Sequence, residues 1–278
     1  MNAIDGTTFA VEVAKAGEGL NPIRANLLLA REIAYPGLRP SETLTALADL
    51  AEEAARTLAP HASPTARALQ LAEYLFSTLG YHGNRQEYAD PRNSYIHEVL
   101  TRRLGLPISL SMLFVYVAEQ LQLPARGVGM PGHFIVEVSG DDDSIFLDPF
   151  NGGRKLAQAD FARLISDSTG YAGTFNPRWL RPTPPTEIVA RMLNNLRGVY
   201  ISLEDWPLAA RVLERLRELQ PDQPSHLRDL GLVTYRAGSP RRAAELLSQY
   251  LNLAPEAKDA DAVRQNRDML WDELARLN

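Results

Sequence analysis

The sequence predicts an α+β protein, in which a mainly helical N-terminal domain with a small antiparallel sheet precedes an α-helical domain of repeats. Three observations support this prediction. Apolar residues recur at helical spacing early in the chain, a Val-, Ile- and Phe-rich stretch lies near the middle, and the C-terminal third resembles itself at a fixed shift. A length of 278 residues is typical of two domains, which we place at residues 1–182 and 183–278.

The first part of the chain is predicted to be helical. Apolar residues define three helices within residues 21–80, and prolines such as Pro40 and Pro64 stand where helices can begin. A polar loop with the sequence YHGNRQEYADPRN follows at residues 81–93. A short amphipathic helix over 94–103, ended by Gly105, precedes a long apolar helix that begins at Pro107 and ends near Gln122.

A β-hairpin is predicted after the apolar helix. Residues 125–138 (ARGVGMPGHFIVEV) and 144–150 are rich in residue types that favour strands. The acidic turn of Asp141, Asp142 and Asp143 separates them, so we expect one strand on each side. The sequence NGGRKL that follows predicts a turn, and residues 157–166 predict a further helix.

The C-terminal third is predicted to consist of helical hairpin repeats. The Pro-rich segment 177–185 cannot continue a helix and marks the domain boundary. A shift of 34 residues beyond it aligns Leu193 with Leu227, Leu196 with Leu230, Ala209 with Ala243, Leu213 with Leu247 and Pro221 with Pro255. This period is typical of tetratricopeptide repeats. We expect two repeats, the first degenerate because Arg197 stands where the second has Gly231, and a capping helix over 261–277.

Composition excludes several classes of function. The chain contains no cysteine, so disulfides, thiolate metal sites and thiol nucleophiles are impossible. A formal net charge of −5 provides no excess of cations for nucleic acid or an anionic bilayer, and we expect neither as a partner. The spacing of His61, His82, His97 and His226 is not that of metal ligands, and we predict no metal and no cofactor.

The sequence does not predict export or membrane insertion. The first residues, MNAIDGTTFAVEVAKAG, contain Asp5 and Glu12 before any basic residue, unlike a signal peptide. The apolar uncharged stretch 104–118 is shorter than the roughly 18 to 20 residues that cross a bilayer. We therefore expect a cytoplasmic protein with no membrane partner.

One pair of residues is a candidate for chemistry. His133 lies in PGHF on the first predicted strand, and Asp148 lies in LDPF on the second. Neighbouring strands are about 4.8 Å apart, so we expect the imidazole and the carboxylate within hydrogen-bond reach. A carboxylate in that position orients a histidine as a base. A buried histidine with a structural role only is the alternative.

The sequence around this pair resembles a known family. It contains NSYIHEVLTRRLGLP, MPGHFIVEV and IFLDPFNGG, followed by tetratricopeptide repeats, and resembles the bacterial SirB-type proteins, which combine such repeats with a transglutaminase-like domain. The resemblance implies a papain-like N-terminal fold. In the wider transglutaminase-like superfamily, a Cys at the start of a buried helix, a His on a strand and an Asp on the next strand form a triad. By this resemblance His133 and Asp148 match the second and third members.

The first member of the triad has no match in this chain. The superfamily pattern aligns with Gly105, Leu106 and Pro107, which puts proline where the nucleophile belongs. The nearest hydroxyls, on Ser109 and Ser111, are rotated from that position by about 200° and 40° around the helix axis. Ser111 is better directed but lies one turn deeper. Bonding to backbone groups of the first turn and packing against a neighbour are the structural alternatives for these serines.

Four further residues match the family string in and beside the polar loop: Asp90, Arg92, Asn93 and Tyr95. They are candidate binding residues that line the cleft. Bracing of the loop is the alternative role.

Three functions are compatible with the sequence. In the first, which we favour, the chain is a catalytically inactive relative, a pseudoenzyme, whose cleft binds a peptide or protein segment with help from the repeats, in a regulatory role. In the second, it is a hydrolase or acyl transferase in which Ser109 or Ser111 replaces the thiol, His133 is the base and Asp148 orients it. In the third, it is a structural scaffold. The sequence does not define the oligomeric state.

Overall fold

A computed structural model describes residues 3–15, 19–141 and 144–276 of the chain. In the N-terminal part, helices enclose a long buried helix and a small antiparallel sheet. In the C-terminal part, consecutive helices pack on one another. The predicted α+β class is therefore confirmed, and so is the order of a sheet-containing part followed by helical repeats.

Four of the N-terminal helices in the described residues begin with a proline, because the first helical position needs no backbone donor. The helix bounds are α1 Phe9–Val13, α2 Pro22–Ile33, α3 Pro40–Ala55, α4 Pro64–Ala72, α5 Ile96–Arg102, α6 Pro107–Gln120 and α7 Gln158–Thr169. A π-helical turn, Glu73–Thr78, extends α4. The three helices predicted within residues 21–80 are confirmed, whereas the apolar pattern does not predict α1.

The short helix α5 ends earlier than the position of Gly105 predicts. Arg103 terminates it in the left-handed region, with a φ of 60°. Gly105 belongs instead to β2 (Leu104–Gly105), which pairs in parallel with β1 (His82–Gly83). A Cβ on Gly105 would lie 2.8 Å from Ser109 Oγ, so the close approach of this strand to the start of α6 requires glycine.

An antiparallel sheet of four strands lies within the described residues. In sheet order its strands are β3 Ala125–Met130, β4 His133–Ser139, β5 Ser144–Asp148 and β6 Arg154–Leu156. The prediction of one strand over 125–138 is wrong, because Pro131 and Gly132 form a two-residue turn that pairs Met130 with His133. Pro131 has no backbone donor for a ladder, and Gly132 adopts a φ of 67° that favours glycine.

The ends of the sheet differ from the sequence prediction at two places. The predicted turn NGGRKL is shorter, because Arg154–Leu156 pairs with β5 as the last strand. Of the predicted acidic turn, Asp142 and Asp143 lie outside the described residues. The helix predicted over 157–166 is confirmed as α7.

The helix α6 is the centre of the N-terminal core. It packs against α3 and against strands β3 and β4. Its fully buried side chains include Leu110, Leu113, Phe114 and Val117. A helix that is apolar on all sides must be buried on all sides, and each such side chain stabilises the fold by about 1.5–3 kcal/mol.

Among the described helices, none is long and apolar enough to cross a membrane.

The repeats form the C-terminal part of the described chain. Their helices are α8 Pro185–Ser202, α9 Trp206–Leu219, α10 Ser225–Arg236, α11 Pro240–Leu253 and α12 Ala260–Arg276. The leucines and alanines paired by the 34-residue shift are all buried, as predicted. A Cβ on Gly231 would lie 2.7 Å from Leu247 Cδ2, so a glycine lets α10 approach α11. In the degenerate first copy, Arg197 forms an ion pair with Asp229 at 3.3 Å. The predicted capping helix is α12, and Leu277 lies outside the described residues.

The repeats pack directly against the N-terminal part. Helices α8 and α9 contact α2, and α9 also contacts α1, so one hydrophobic cluster includes residues from both parts. Across this contact, Arg215 pairs with Glu32 at 2.5 Å. The hydroxyls of Tyr95 and Tyr200 lie 2.9 Å apart in a buried position. The domain boundary between residues 182 and 183 stays a prediction.

The Pro-rich linker is held against the sheet. It contains a 3₁₀ turn, Pro177–Leu180, and is extended at Arg181. The backbone N–H of Thr183 donates to the carbonyl of Gly127 at 2.8 Å. The N–H of Gly129 in turn donates to Thr183 Oγ1 at 2.7 Å. The linker therefore bonds to the outer edge of β3.

We expect the repeats to be less stable alone than in the whole chain. Residues 186–278 expressed alone would expose the faces of α8 and α9 that pack against α1 and α2. Each apolar side chain returned to water costs about 1.5–3 kcal/mol. Thermal melting followed by circular dichroism compares the fragment with the whole protein. A cooperative transition of the fragment at the temperature of the whole protein would show that the repeats fold independently.

Candidate functional site

The predicted contact between His133 and Asp148 is confirmed. His133 is the first residue of β4, directly after the Pro131–Gly132 turn, and Asp148 is the last residue of β5. The register makes them diagonal neighbours on adjacent strands, and His133 Nε2 lies 3.0 Å from Asp148 Oδ1. The imidazole is 7% exposed and the carboxylate is fully buried.

Asp148 is held as a carboxylate. Burial raises the pKa of this carboxyl, but the hydrogen bonds from His133 and Asn151 together outweigh burial, so the pKa lies below its ordinary value. Asn151 donates to Asp148 through its side-chain amide at 2.5 Å and through its backbone N–H at 3.3 Å. Because an ionised carboxylate only accepts hydrogen bonds, His133 Nε2 carries the proton of this contact. Nδ1 is then the basic nitrogen of the neutral ring.

His133 lines a cleft of about 820 Å³ between the polar loop, the start of α6 and helix α7, with Asp148 buried behind it. The ring of Phe150 stands edge-on to His133, with 6.1 Å between centroids. The ring of Tyr88 also packs edge-on against the Phe150 ring, with 6.0 Å between the two centroids. Pro107, the first residue of α6, lines the cleft together with His133. The residue that the sequence resemblance predicts at the nucleophile position is therefore at the cleft wall.

The two candidate serines are bonded elsewhere. Ser109 Oγ accepts from the N–H of Leu106 at 2.9 Å and donates to the carbonyl of Asn93 at 2.7 Å. Ser111 Oγ donates to the carbonyl of Phe134 at 3.3 Å. Both side chains are fully buried, and neither lines the cleft. Both serines thus bond to backbone groups away from the cleft, and a nucleophilic role for either stays a prediction.

The four loop candidates do not line this cleft, and their contacts are those of residues that brace the loop, so their assignment as binding residues stays a prediction. Asp90 caps the turn at Pro91–Ser94 and pairs with Arg92 and with Arg102. Asn93 is fully buried and donates to the carbonyl of Glu87 at 2.7 Å. Tyr95 is fully buried against Tyr200 of the repeats. Their side chains therefore hold the loop in place, and different residues of this loop line the cleft.

Sequence reasoning missed the residues of this loop that do line the cleft, Arg85 and Tyr88. The guanidinium of Arg85 lies 5.2 Å from the centroid of the Phe150 ring and donates to Asn151 Oδ1. Phe150 and Asn151 lie two and three residues after Asp148 in the sequence IFLDPFNGG. Their closeness to Asp148 in sequence could have identified Phe150 and Asn151 as site residues. No local pattern distinguishes Arg85 or Tyr88 from other residues of a polar loop.

Arg191 of α8 was also missed, and it connects that helix to the site. Its Nη2 donates to the carbonyl of Met130 at 2.9 Å and to that of His133 at 3.0 Å. The guanidinium lies 5.3 Å from the centroid of the Phe134 ring. A Cβ on Gly129 would lie 2.1 Å from Arg191 Nη1, so the arginine fits only because that position is glycine. Arg191 thus holds both ends of the turn that precedes His133.

The part of the chain that the structure describes contains no cluster of three or more acidic or histidine side chains that could hold a metal ion.

Both parts of the chain match protein-family models. Residues 41–194 match the model of the transglutaminase-like superfamily, and residues 196–267 match a tetratricopeptide repeat model. The first match includes Pro107, His133 and Asp148. The resemblance inferred from the sequence motifs is therefore confirmed.

Curated relatives match the chain over much of its length. A UPF0162 protein of Xylella fastidiosa is 43% identical over 197 residues, which are 69% of this chain and 69% of the relative. A UPF0162 protein of Vibrio cholerae is 29% identical over 188 residues, which are 67% of this chain and 69% of the relative. The F-box only protein 21 of Mus musculus is 34% identical over 132 residues, which are 44% of this chain and 20% of that protein. No solved structure matches the chain.

We expect Asp148→Asn to lower the free energy of unfolding at pH 7 by about 1–3 kcal/mol, because it removes charge-assisted hydrogen bonds. Folding lowers the pKa of Asp148. The ionised carboxylate therefore stabilises the folded state at pH values above the ordinary aspartate pKa of about 3.9, and this stabilisation is lost as the pH falls below that value toward the pKa of the folded state. The deficit of the variant should therefore shrink from pH 7 to pH 3. Urea unfolding at both pH values measures it.

The exposed Asp167, which also lines the cleft, provides the control substitution Asp167→Asn. Its exposed ion pair with Arg163 should contribute little, so this variant should match the wild type at pH 7. A deficit of Asp148→Asn that stays constant between pH 7 and pH 3 would contradict the assignment of a depressed pKa.

Proposed function

We propose that this chain, which belongs to the transglutaminase-like superfamily and to the family of the UPF0162 proteins, is a non-catalytic member whose cleft binds a peptide or protein segment. One observation carries the proposal: His133, hydrogen-bonded to the buried Asp148, lines a cleft together with Pro107, the first residue of the buried helix α6. Proline has no side-chain nucleophile, and the sequence contains no cysteine that could replace it. Binding without covalent chemistry is the activity that this geometry supports best.

The cleft has the size and the surface of a ligand site. Its volume of about 820 Å³ lies within the range of ligand pockets. The rings of Phe150 and Tyr88 provide an aromatic wall, and Arg85 and Asn151 provide polar groups beside it. The repeats add a second surface, since stacked helical repeats typically bind other proteins. A protein that binds a partner at two surfaces is suited to a regulatory role, which we place in the cytoplasm.

The contacts of the candidate serines do not favour the hydrolase alternative. Ser109 and Ser111 donate their protons to backbone carbonyls outside the cleft. Ser168 does line the cleft, but its hydroxyl donates to the carbonyl of Leu164 on its own helix at 2.7 Å. The scaffold alternative does not account for a histidine that is both oriented by a buried carboxylate and open to a cleft.

Selection from a displayed library of random heptapeptides tests binding. The wild-type protein should enrich peptides whose affinity falls at least about tenfold in Tyr88→Ala, because this change removes an aromatic wall of the cleft. Tyr171→Ala is the matched control, since Tyr171 is 45% exposed against 50% for Tyr88 and does not line the cleft. The proposal fails if no enriched peptide distinguishes Tyr88→Ala from the wild type.

The substitution Pro107→Cys tests the assignment of the nucleophile position. A thiol placed there should have a lowered pKa, because it would stand at a helix N-terminus and share the cleft with His133. Ultraviolet absorbance of the thiolate against pH measures the pKa without interference, because the chain has no other thiol.

The control Pro240→Cys also stands at the first position of a helix, α11, but in the repeats. We expect the pKa of the thiol to be lower in Pro107→Cys than in Pro240→Cys by about one unit or more. Adding His133→Ala to the Pro107→Cys variant should remove most of that difference. Equal pKa values for the two thiols would show that Pro107 does not occupy the nucleophile position.

A further inference from the structure

The charge of the cleft differs from the charge of the whole chain. The protein has a formal net charge of −5. The cleft lining nevertheless contains Arg85, Arg154 and Arg163 against one carboxylate, that of Asp167. Arginines therefore outnumber carboxylates among the lining residues of this cleft, and any arginine without a carboxylate partner would favour an anionic ligand.

Two of these three arginines have carboxylate partners. Arg154 pairs with Asp160 at 3.2 Å, and Arg163 pairs with Asp167 at 3.6 Å. Arg85 differs, since no carboxylate of the described residues forms an ion pair with it. Its contacts are the ring of Phe150 and the side-chain oxygen of Asn151. A guanidinium carries five N–H donors, so most donors of Arg85 remain available.

Arg85 and His133 lie close enough in the cleft for one short ligand segment to contact both. Both side chains contact the Phe150 ring, the guanidinium at 5.2 Å and the imidazole at 6.1 Å from its centroid. They are therefore separated by no more than about 11 Å, which an extended chain covers in three or four residues. One short segment can thus contact both.

We propose that the segment bound in the cleft is acidic, and that one of its carboxylates pairs with Arg85 while its backbone passes His133. This inference rests on the proposed function, because it names the chemistry of the same cleft. The planar guanidinium suits two parallel hydrogen bonds to a carboxylate, and its packing on Phe150 limits the directions in which it points. A neighbouring apolar side chain of the segment packs against Phe150 and Tyr88.

The heptapeptide library provides the test, with selections on the wild type, on Arg85→Gln and on Arg241→Gln. Arg241 is an exposed arginine of α11 in the repeats and serves as the matched control. Peptides enriched by the wild type in a Tyr88-dependent manner should be richer in Asp and Glu than the unselected library. Their affinity should fall about tenfold in Arg85→Gln and stay unchanged in Arg241→Gln, and the wild-type affinity should weaken as salt is added.

The outcomes separate the two proposals. Tyr88-dependent peptides without acidic residues, or acidic peptides that bind Arg85→Gln as tightly as the wild type, would overturn this inference and leave peptide binding standing. Failure to enrich any Tyr88-dependent peptide would overturn both. Inorganic phosphate is added as a competitor of a bound acidic peptide. If phosphate displaces the peptide at a concentration no higher than that of the peptide, the cleft is a phosphate site, and this result would also overturn the inference.

Discussion

One nitrogen of Arg191 donates to the carbonyls of both Met130 and His133, and the geometry of the cleft depends on this contact. The side chain is partly buried, and burial lowers the pKa of its guanidinium. A buried cation without a carboxylate partner is destabilising unless its donors are bonded. Here two carbonyls and the face of Phe134 take the place of a carboxylate among the described residues. Because Arg191 lies on α8, the turn before His133 keeps these hydrogen bonds only while α8 is packed beside the sheet.

The parts of the fold that were predictable are those set by local pattern. Proline at helix starts, helical spacing and the 34-residue shift located the long helices and the repeats. The contact of His133 with Asp148 was also predictable, since any antiparallel pairing of two consecutive strands brings their ends together. The division of 125–138 into two strands was missed because the apolar run continues on both sides of Pro131 and Gly132.

The parts that could not be predicted are set by contacts distant in sequence. Arg191 lies 58 residues from the carbonyl of His133 that it binds, and no spacing rule connects the two positions. Asn93 and Tyr95 resemble site residues in sequence, yet they are buried because the loop folds back on the start of α6 and on α8. Whether a polar side chain braces a loop or lines a cleft is decided by the packing of the elements around it.

The bonding of the linker to β3 has a consequence for the solution behaviour of the protein. An unpaired edge strand presents free N–H and C=O groups that can recruit a strand from another molecule. In this chain the carbonyl of Gly127 and the N–H of Gly129 are occupied by Thr183, so part of that edge is closed by the connection to the repeats. Docking of the repeats and protection against aggregation are therefore linked, since detachment of the linker would open β3 to intermolecular pairing.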